Sequence, residues 1–260
     1  MQLQNHVALI TGSGRGIGRA IATLFAKEGA SVFLAARTHD QLASTAAEIS
    51  KAGGQAAFAV VDIIKEEDCR RIVASAREKF GPVSILVNNA GHYGPVVPVE
   101  EYPLADFDNV LAVHLRAAFI LTQLVLPEMY ASERGVILNI SSLSAKSAFS
   151  WGSAYAAAKA GMLGLTRVTA AEAARKGVRV NAICPGPVTE TIMSRELGAT
   201  LAQKIGVSSE EQLAGFLQSI LQGRGQSADE IARAALFLCS DASSAMTGQS
   251  INVDGGAAFF

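Results

Sequence analysis

The chain has 260 residues, half of them hydrophobic and 17% charged, with a formal net charge of −1. That balance suits a large buried core, and with no basic run nothing points to a nucleic-acid or anionic-membrane partner. Its three cysteines, Cys69, Cys184 and Cys239, stand far apart with no C-x-x-C, which argues against a disulfide framework or zinc site and fits a reducing cytoplasm.

The N-terminal MQLQNHVALITG runs straight into a strand pattern, without a basic stretch, apolar run and cleavage site. His6–Thr11 is a short apolar run ending in glycines, as a buried strand does. Helical patterning follows from Ile17 to Lys27, then strand Ser31–Ala36, helix Asp40–Lys51, strand Gln55–Val61 and helix Glu66–Phe80. Val83–Val87 is a fourth strand, leading into Asn88-Asn89-Ala90-Gly91. A long helix is expected over Asp106–Tyr130 and a fifth strand over Gly135–Ile140. A helix carrying Tyr155 runs to about Lys176, Val178–Ile183 is a sixth strand broken by Cys184-Pro185, and Gln249–Val253 is the last.

Short apolar strands alternating with helices predict an α/β fold: a Rossmann-type, doubly wound parallel sheet of about seven strands with helices on both faces. No window holds 18 uninterrupted apolar residues, so no membrane-spanning helix is expected. No composition shift divides the chain, so residues 1–260 are read as one cofactor-binding domain. Glu190–Gln226 lacks strand patterning and carries scattered apolar residues, which predicts one or two helices forming a lid.

Two stretches carry chemistry. Gly12-Ser13-Gly14-Arg15-Gly16-Ile17-Gly18 lies between a strand and a helix. Glycines there let backbone N–H groups approach a pyrophosphate at a helix N-terminus. The register is T-G-x-x-x-G-x-G from Thr11, and no frame gives G-x-G-x-x-G. Strand two ends in Ala35-Ala36-Arg37, without the carboxylate that usually binds ribose hydroxyls. With Arg15 in the turn itself, Arg37 favours the 2′-phosphate of NADP; otherwise it is a solvated residue at a strand end.

In the second stretch, Tyr155 and Lys159 stand four residues apart, on one helix face that continues through Met162 and Thr166. An ammonium one turn away is expected to lower the phenol pKa, as suits a general acid/base. Ala157, Gly161, Gly164 and Val168 form an opposite, small face. It is open either to the chain's own elements or to a partner helix.

Together these motifs resemble those of the short-chain dehydrogenase/reductase family at its ordinary single-domain length, nearest to its 3-oxoacyl-carrier-protein-reductase-like members. The likeness rests on Thr11–Gly18, Asp62-Ile63, Asn88-Asn89-Ala90-Gly91, Asn139-Ile140-Ser141-Ser142, Tyr155-x-x-x-Lys159, Pro185-Gly186 with Thr189, and Thr247-Gly248-Gln249. It implies that Tyr155 exchanges a proton with a carbonyl or alcohol, Lys159 holds the nicotinamide ribose and Ser142 the substrate oxygen, with Ser141 the weaker choice. It further implies adenine contacts at Asp62 and Ile63. Asn89, Ala90, Gly91, Pro185, Gly186, Val188 and Thr189 would lie along the cofactor, and Asn88 would brace the sheet and line the same cleft. No metal is needed.

One position departs from the pattern. His114 stands where the family's helix carries an Asn that holds a relay water. A histidine can also hold water, and it titrates near neutrality; the other reading is a packed polar residue.

The implied activity is NADP(H)-dependent interconversion of a small-molecule carbonyl and alcohol. A cofactor-binding regulator without turnover is the alternative, and a methyltransferase a third that Tyr155 and Lys159 oppose. Pocket walls are expected from His92, Tyr93, Leu143, Trp151, Pro187 and the lid, favouring a neutral carbonyl compound. The protein is expected to be cytoplasmic, from its cysteine usage, and by resemblance a homotetramer.

Overall fold

The computed structural model describes residues 1–259. Strands β1 (Val7–Thr11), β2 (Ser31–Ala36) and β3 (Gln55–Val60) alternate with helices α1 (Gly16–Lys27), α2 (His39–Lys51) and α3 (Glu66–Phe80). Then come β4 (Ile85–Asn88), α4 (Leu104–Leu111), a π-helical turn (Ala112–Arg116) and α5 (Ala117–Ala131). β5 (Gly135–Ile140), α6 (Ser153–Ala173) and β6 (Val178–Pro185) follow. The chain closes with α7 (Ile192–Ile205), α8 (Ser209–Gln218), α9 (Ala228–Cys239) and β7 (Ser250–Val253).

The strands form one seven-stranded sheet of order β3-β2-β1-β4-β5-β6-β7, and every pairing is parallel. Both faces are covered, as the unbroken apolar strands require. Alternate residues serve opposite faces. Ala8, Ile10, Val32, Leu34, Ile85 and Val87 pack with Ile21, Phe25 and Ile231 of α1 and α9. Leu9, Phe33, Leu86 and Ile137 pack with Ile72, Leu121 and Val125 of α3 and α5. The strand order reverses between β1 and β4, and the crevice beyond their carboxyl ends is where such sheets bind ligands.

Three elements differ from expectation. β6 runs on through Cys184 and Pro185, because the edge strand β7 still pairs with it there. The long helix is interrupted by the π-turn that carries His114. Helix α9 has no counterpart in the sequence reading, although Ser227 and Glu230 form a capping box at its start.

The 28-residue helical run Leu104–Ala131 contains an 18-residue window of mean hydropathy 1.7, apolar enough to cross a membrane by length and composition. Its Leu121, Val125 and Met129 instead pack in the core.

At the opposite end of the sheet, His6 is buried with Arg134 2.6 Å from its Nε2 and Ser84 Oγ 3.0 Å from its Nδ1. Arg134 can only donate, so Nε2 is the acceptor and Nδ1–H donates to Ser84. Burial, reinforced by Arg134, lowers the His6 pKa from 6.5 to about 4. The unfolded chain therefore binds more protons between those values, and stability falls as pH drops from 6.5 towards 4. The full effect is at most about 3 kcal/mol. Urea midpoints at pH 7 and 4.5 check this: His6→Gln is expected to flatten the fall, and parallel falls would refute it.

Candidate active site

The glycine turn is built by its neighbours. Thr11 Oγ1 accepts from the amides of Asn89 and Ala90 at 3.0 and 3.1 Å, while Asn89 Nδ2 donates to Thr11 O at 2.8 Å. Gly16 has φ +55°, where a side chain is strained. A Cβ on Gly18 would sit 2.3 Å from the Gly12 carbonyl, so this turn exists only with glycine. No acidic residue occupies the first turn of α1, and its N-cap residue Arg15 makes no side-chain cap. The first-turn amides are thus left for an anion, and the turn fits a pyrophosphate.

Ser13 departs from the expected cofactor set. It is fully buried and its Oγ accepts from the Ala35 amide at 3.0 Å, tying the turn to β2. Its side chain therefore braces the turn. Asn88 likewise braces, donating from Nδ2 to Asn139 Oδ1 at 2.9 Å, and does not line the cleft. Asn139 passes the brace to Thr166 Oγ1 at 2.9 Å, which fixes α6 to β5. The other expected cofactor residues all line one cavity of about 1480 Å³: Gly12, Gly14 to Gly18, Arg37, Asp62, Ile63, Asn89 to Gly91, Tyr155, Lys159, Pro185, Gly186, Val188 and Thr189. Arg15 and Arg37 are exposed at its edge and, among the described residues, neither joins an ion pair.

Ser142 and His114 line the same cavity. Ser142 caps the following turn, its Oγ accepting from the Ser144 amide at 3.1 Å. Ser141 is buried, its Oγ donating to the Lys159 carbonyl at 2.9 Å. The Tyr155 ring is held on two sides. Tyr93 stacks on it at 4.8 Å, and the His114 ring meets it edge-on at 5.3 Å. Gly152 admits Tyr93, since a Cβ there would lie 2.2 Å from its hydroxyl.

The ionisation expected of the pair is corrected. Burial pushes the Tyr155 phenol up to about 12, the Ser142 hydroxyl opposing only part of it. Burial brings Lys159 down to about 7. Its Nζ donates to the Ile140 carbonyl at 2.6 Å and lies 5.5 Å from the Tyr155 ring centre. Desolvation outweighs a neighbour that is itself reluctant to be charged.

His114 is corrected too. It is buried under Gly91, with Nε2 2.7 Å from the His92 carbonyl and 3.2 Å from the His92 amide. The shorter contact assigns Nε2–H as a donor, leaving Nδ1 unprotonated; Nδ1 is buried without a partner. Burial, then the Lys159 charge, hold its pKa well below 6.5. An acid limb from His114 near neutrality is therefore not expected. Profiles of kcat against pH for the wild type and His114→Asn are expected to have the same shape above pH 6. A limb present in the wild type alone would overturn this.

On α6, Met162 and Thr166 are buried on the Lys159 face as expected. The small face turns outward: Gly161 receives Leu115 of the π-turn, Gly164 meets nothing within 4 Å and Val168 is 58% exposed. Segment 190–226, expected as a lid, holds α7 and α8; Phe149 lies 6.3 Å from Phe216, and Lys204 lies over Trp151 at 5.7 Å. Trp151 has φ +66°.

A family model described as short chain dehydrogenase matches residues 6–202. A 3-oxoacyl-[acyl-carrier-protein] reductase of Thermotoga maritima, FabG, is 36% identical, covering 98% of this chain and 99% of that protein. Among solved structures, NADPH-bound actinorhodin polyketide ketoreductase superposes with a TM-score of 0.94 at 34% identity, covering 100% and 99% of the two chains. NAD+-bound xylitol dehydrogenase does so with 0.95 at 30% identity, covering 98% and 100%. Sequence and fold agree over nearly the whole length, and the chain belongs to the short-chain dehydrogenase family of oxidoreductases.

Proposed function

We propose that this protein interconverts a carbonyl and an alcohol with NADP(H), with Tyr155 as general acid/base. The observation that carries the reading is that Ser142, Tyr155 and Lys159 line the same cavity as the glycine turn. In the reducing direction, bound NADPH supplies hydride to the carbonyl carbon. Ser142 donates a hydrogen bond to the substrate oxygen, and Tyr155 gives that oxygen its proton. Oxidation runs the same transfers in reverse. Lys159 would hold the nicotinamide ribose and Val188 and Thr189 its amide, which is supported by all three lining the cavity.

His114 serves as acceptor for a relay water through Nδ1, which is supported by its burial without a partner. This neutral acceptor can stand in for an Asn carbonyl, so the regulator reading loses its motive. Arg15 and Arg37, unpaired at the cavity edge with no carboxylate ending β2, support the 2′-phosphate form of the cofactor. Two neighbours carry different forms, NADPH in the ketoreductase and NAD+ in xylitol dehydrogenase.

We also propose self-association, in a cytoplasmic protein, through the outward face of α5 and α6. Phe119 and Val168 are 50% and 58% exposed there, beside a groove lined by Leu111, Leu115 and Leu165. The test of function is a panel of ketones and aldehydes followed by NADPH absorbance. Steady oxidation with at least one is expected; binding of NADPH with no turnover on any would overturn the reading.

A further inference from the structure

The loop after β4 is irregular but closely held. A Cβ on Gly91 would sit 2.0 Å from Cε1 of the buried His114 ring, and one on Gly94, at φ +80°, would sit 2.6 Å from the Tyr102 hydroxyl. Between these glycines Tyr93 lines the cavity, and its ring stacks on that of Tyr155 at 4.8 Å with 29° between the planes. That separation lies in the favourable range for an aromatic pair.

The hydroxyl end of Tyr93 is confined by the turn that starts α6. A Cβ on Gly152 would lie 2.2 Å from the Tyr93 hydroxyl and 2.9 Å from its Cζ. Trp151, just before it, holds φ +66°, which a bulky side chain adopts only under constraint. Gly152 is itself buried and does not line the cavity. Tyr93 is thus fixed at both ends while its ring lies on the one phenol assigned to the reaction.

The titratable groups facing Tyr155 are Lys159 on its own helix, His114 on the π-turn, Tyr93 in the loop and Cys184 of β6. Burial raises Tyr93 and Cys184, so both stay neutral, and it holds Lys159 to about 7 and His114 well below 6.5. None of the four is an anion at neutral pH, and only Lys159 is in part a cation. Contact with water therefore decides how the phenol ionises, and a stacked ring removes that contact from one face.

We propose, on the general acid/base reading of Tyr155 above, that Tyr93 is a positioning residue: its ring clamps that of Tyr155, fixing the aim of the reacting hydroxyl and shielding it from water on one face.

Tyr93→Ala, Tyr93→Phe and Gly152→Ala separate a clamp from a plain pocket wall. The full chain, with tyrosine Cζ enriched in carbon-13, is titrated from about pH 8 to 11. The Tyr155 signal is identified by its loss in Tyr155→Phe. kcat and KM are measured on any carbonyl that the wild type reduces, and NADPH binding, read from its own fluorescence, verifies that each variant is folded. Tyr93→Ala is expected to bring the Tyr155 midpoint down by about one pH unit and to lower kcat about tenfold, with NADPH affinity within a few-fold. Tyr93→Phe keeps the stack and is expected to keep the wild-type midpoint. Gly152→Ala pushes on the Tyr93 hydroxyl from outside the cavity and is expected to move both readouts the same way. Adding Tyr93→Phe to it is expected to recover part of the loss, because the atom nearest the new Cβ is gone.

An unmoved midpoint in Tyr93→Ala, or a change confined to KM, would overturn the proposal, as would Tyr93→Phe behaving like Tyr93→Ala. A midpoint that moves with Ala but not with Phe, in a protein that turns over no carbonyl, supports the clamp and overturns the functional reading. Turnover that needs Tyr155, with a midpoint indifferent to Tyr93, does the reverse.

Discussion

Tyr155→Phe is expected to lower kcat by about 10³-fold while leaving NADP(H) affinity within a few-fold. The substitution removes one oxygen. The ring that Tyr93 stacks on and His114 meets edge-on is retained, so packing around α6 is unchanged. What is lost is the proton donor. Single-turnover rates and cofactor titrations on both proteins check this, and a variant keeping most of the wild-type kcat would sink the mechanism. The pH dependence gives a second handle. With the phenol pushed up to about 12, its protonated form dominates at neutral pH and carbonyl reduction has its donor ready. Alcohol oxidation needs the phenolate, so its rate is expected to climb with pH, by up to about tenfold per pH unit while the phenol remains mostly protonated.

Cofactor choice is expected to respond as strongly. Wild type is expected to prefer NADPH over NADH by about 10²-fold in kcat/KM, two guanidinium–phosphate pairings of roughly 1.5–3 kcal/mol each being partly offset by desolvation. Arg37→Asp places a carboxylate after Ala36, where it repels the 2′-phosphate and accepts from ribose hydroxyls. Most of the preference is expected to reverse. Arg37 is exposed and unpaired, so the exchange disturbs no internal contact. Equal kcat/KM for both cofactors in the wild type would count against the assignment.

Much of this site could be read from the chain because its parts are local. A strand, glycines and a helix in succession define the turn, and a four-residue interval puts Tyr155 beside Lys159 on α6. What escaped depends on distant segments. Ser13 looks like any cradle residue until β2 offers it the Ala35 amide. Lys159 reads as an ammonium until burial, with Nζ turned to the Ile140 carbonyl of β5, brings it down to about 7. The low ionisation of His114 comes from burial, with Lys159 beside it, and only the folded chain supplies both. Helix α9 differs: its capping box, Ser227 with Glu230, is a local signal of where the helix starts.

The strand order has a consequence for how the chain is made. β2 pairs with β1, β3 with β2, β4 with β1, and each of β5, β6 and β7 with the strand numbered just before it. Every strand leaving the ribosome thus finds its partner already synthesised, and none must be threaded between two earlier ones. Parallel pairing across long crossovers is slow when the whole chain must search at once, whereas emergence from the N-terminus turns that search into a series of single additions at an open edge. Translation-coupled folding is accordingly expected to outpace refolding from denaturant, with β7 the last strand to dock.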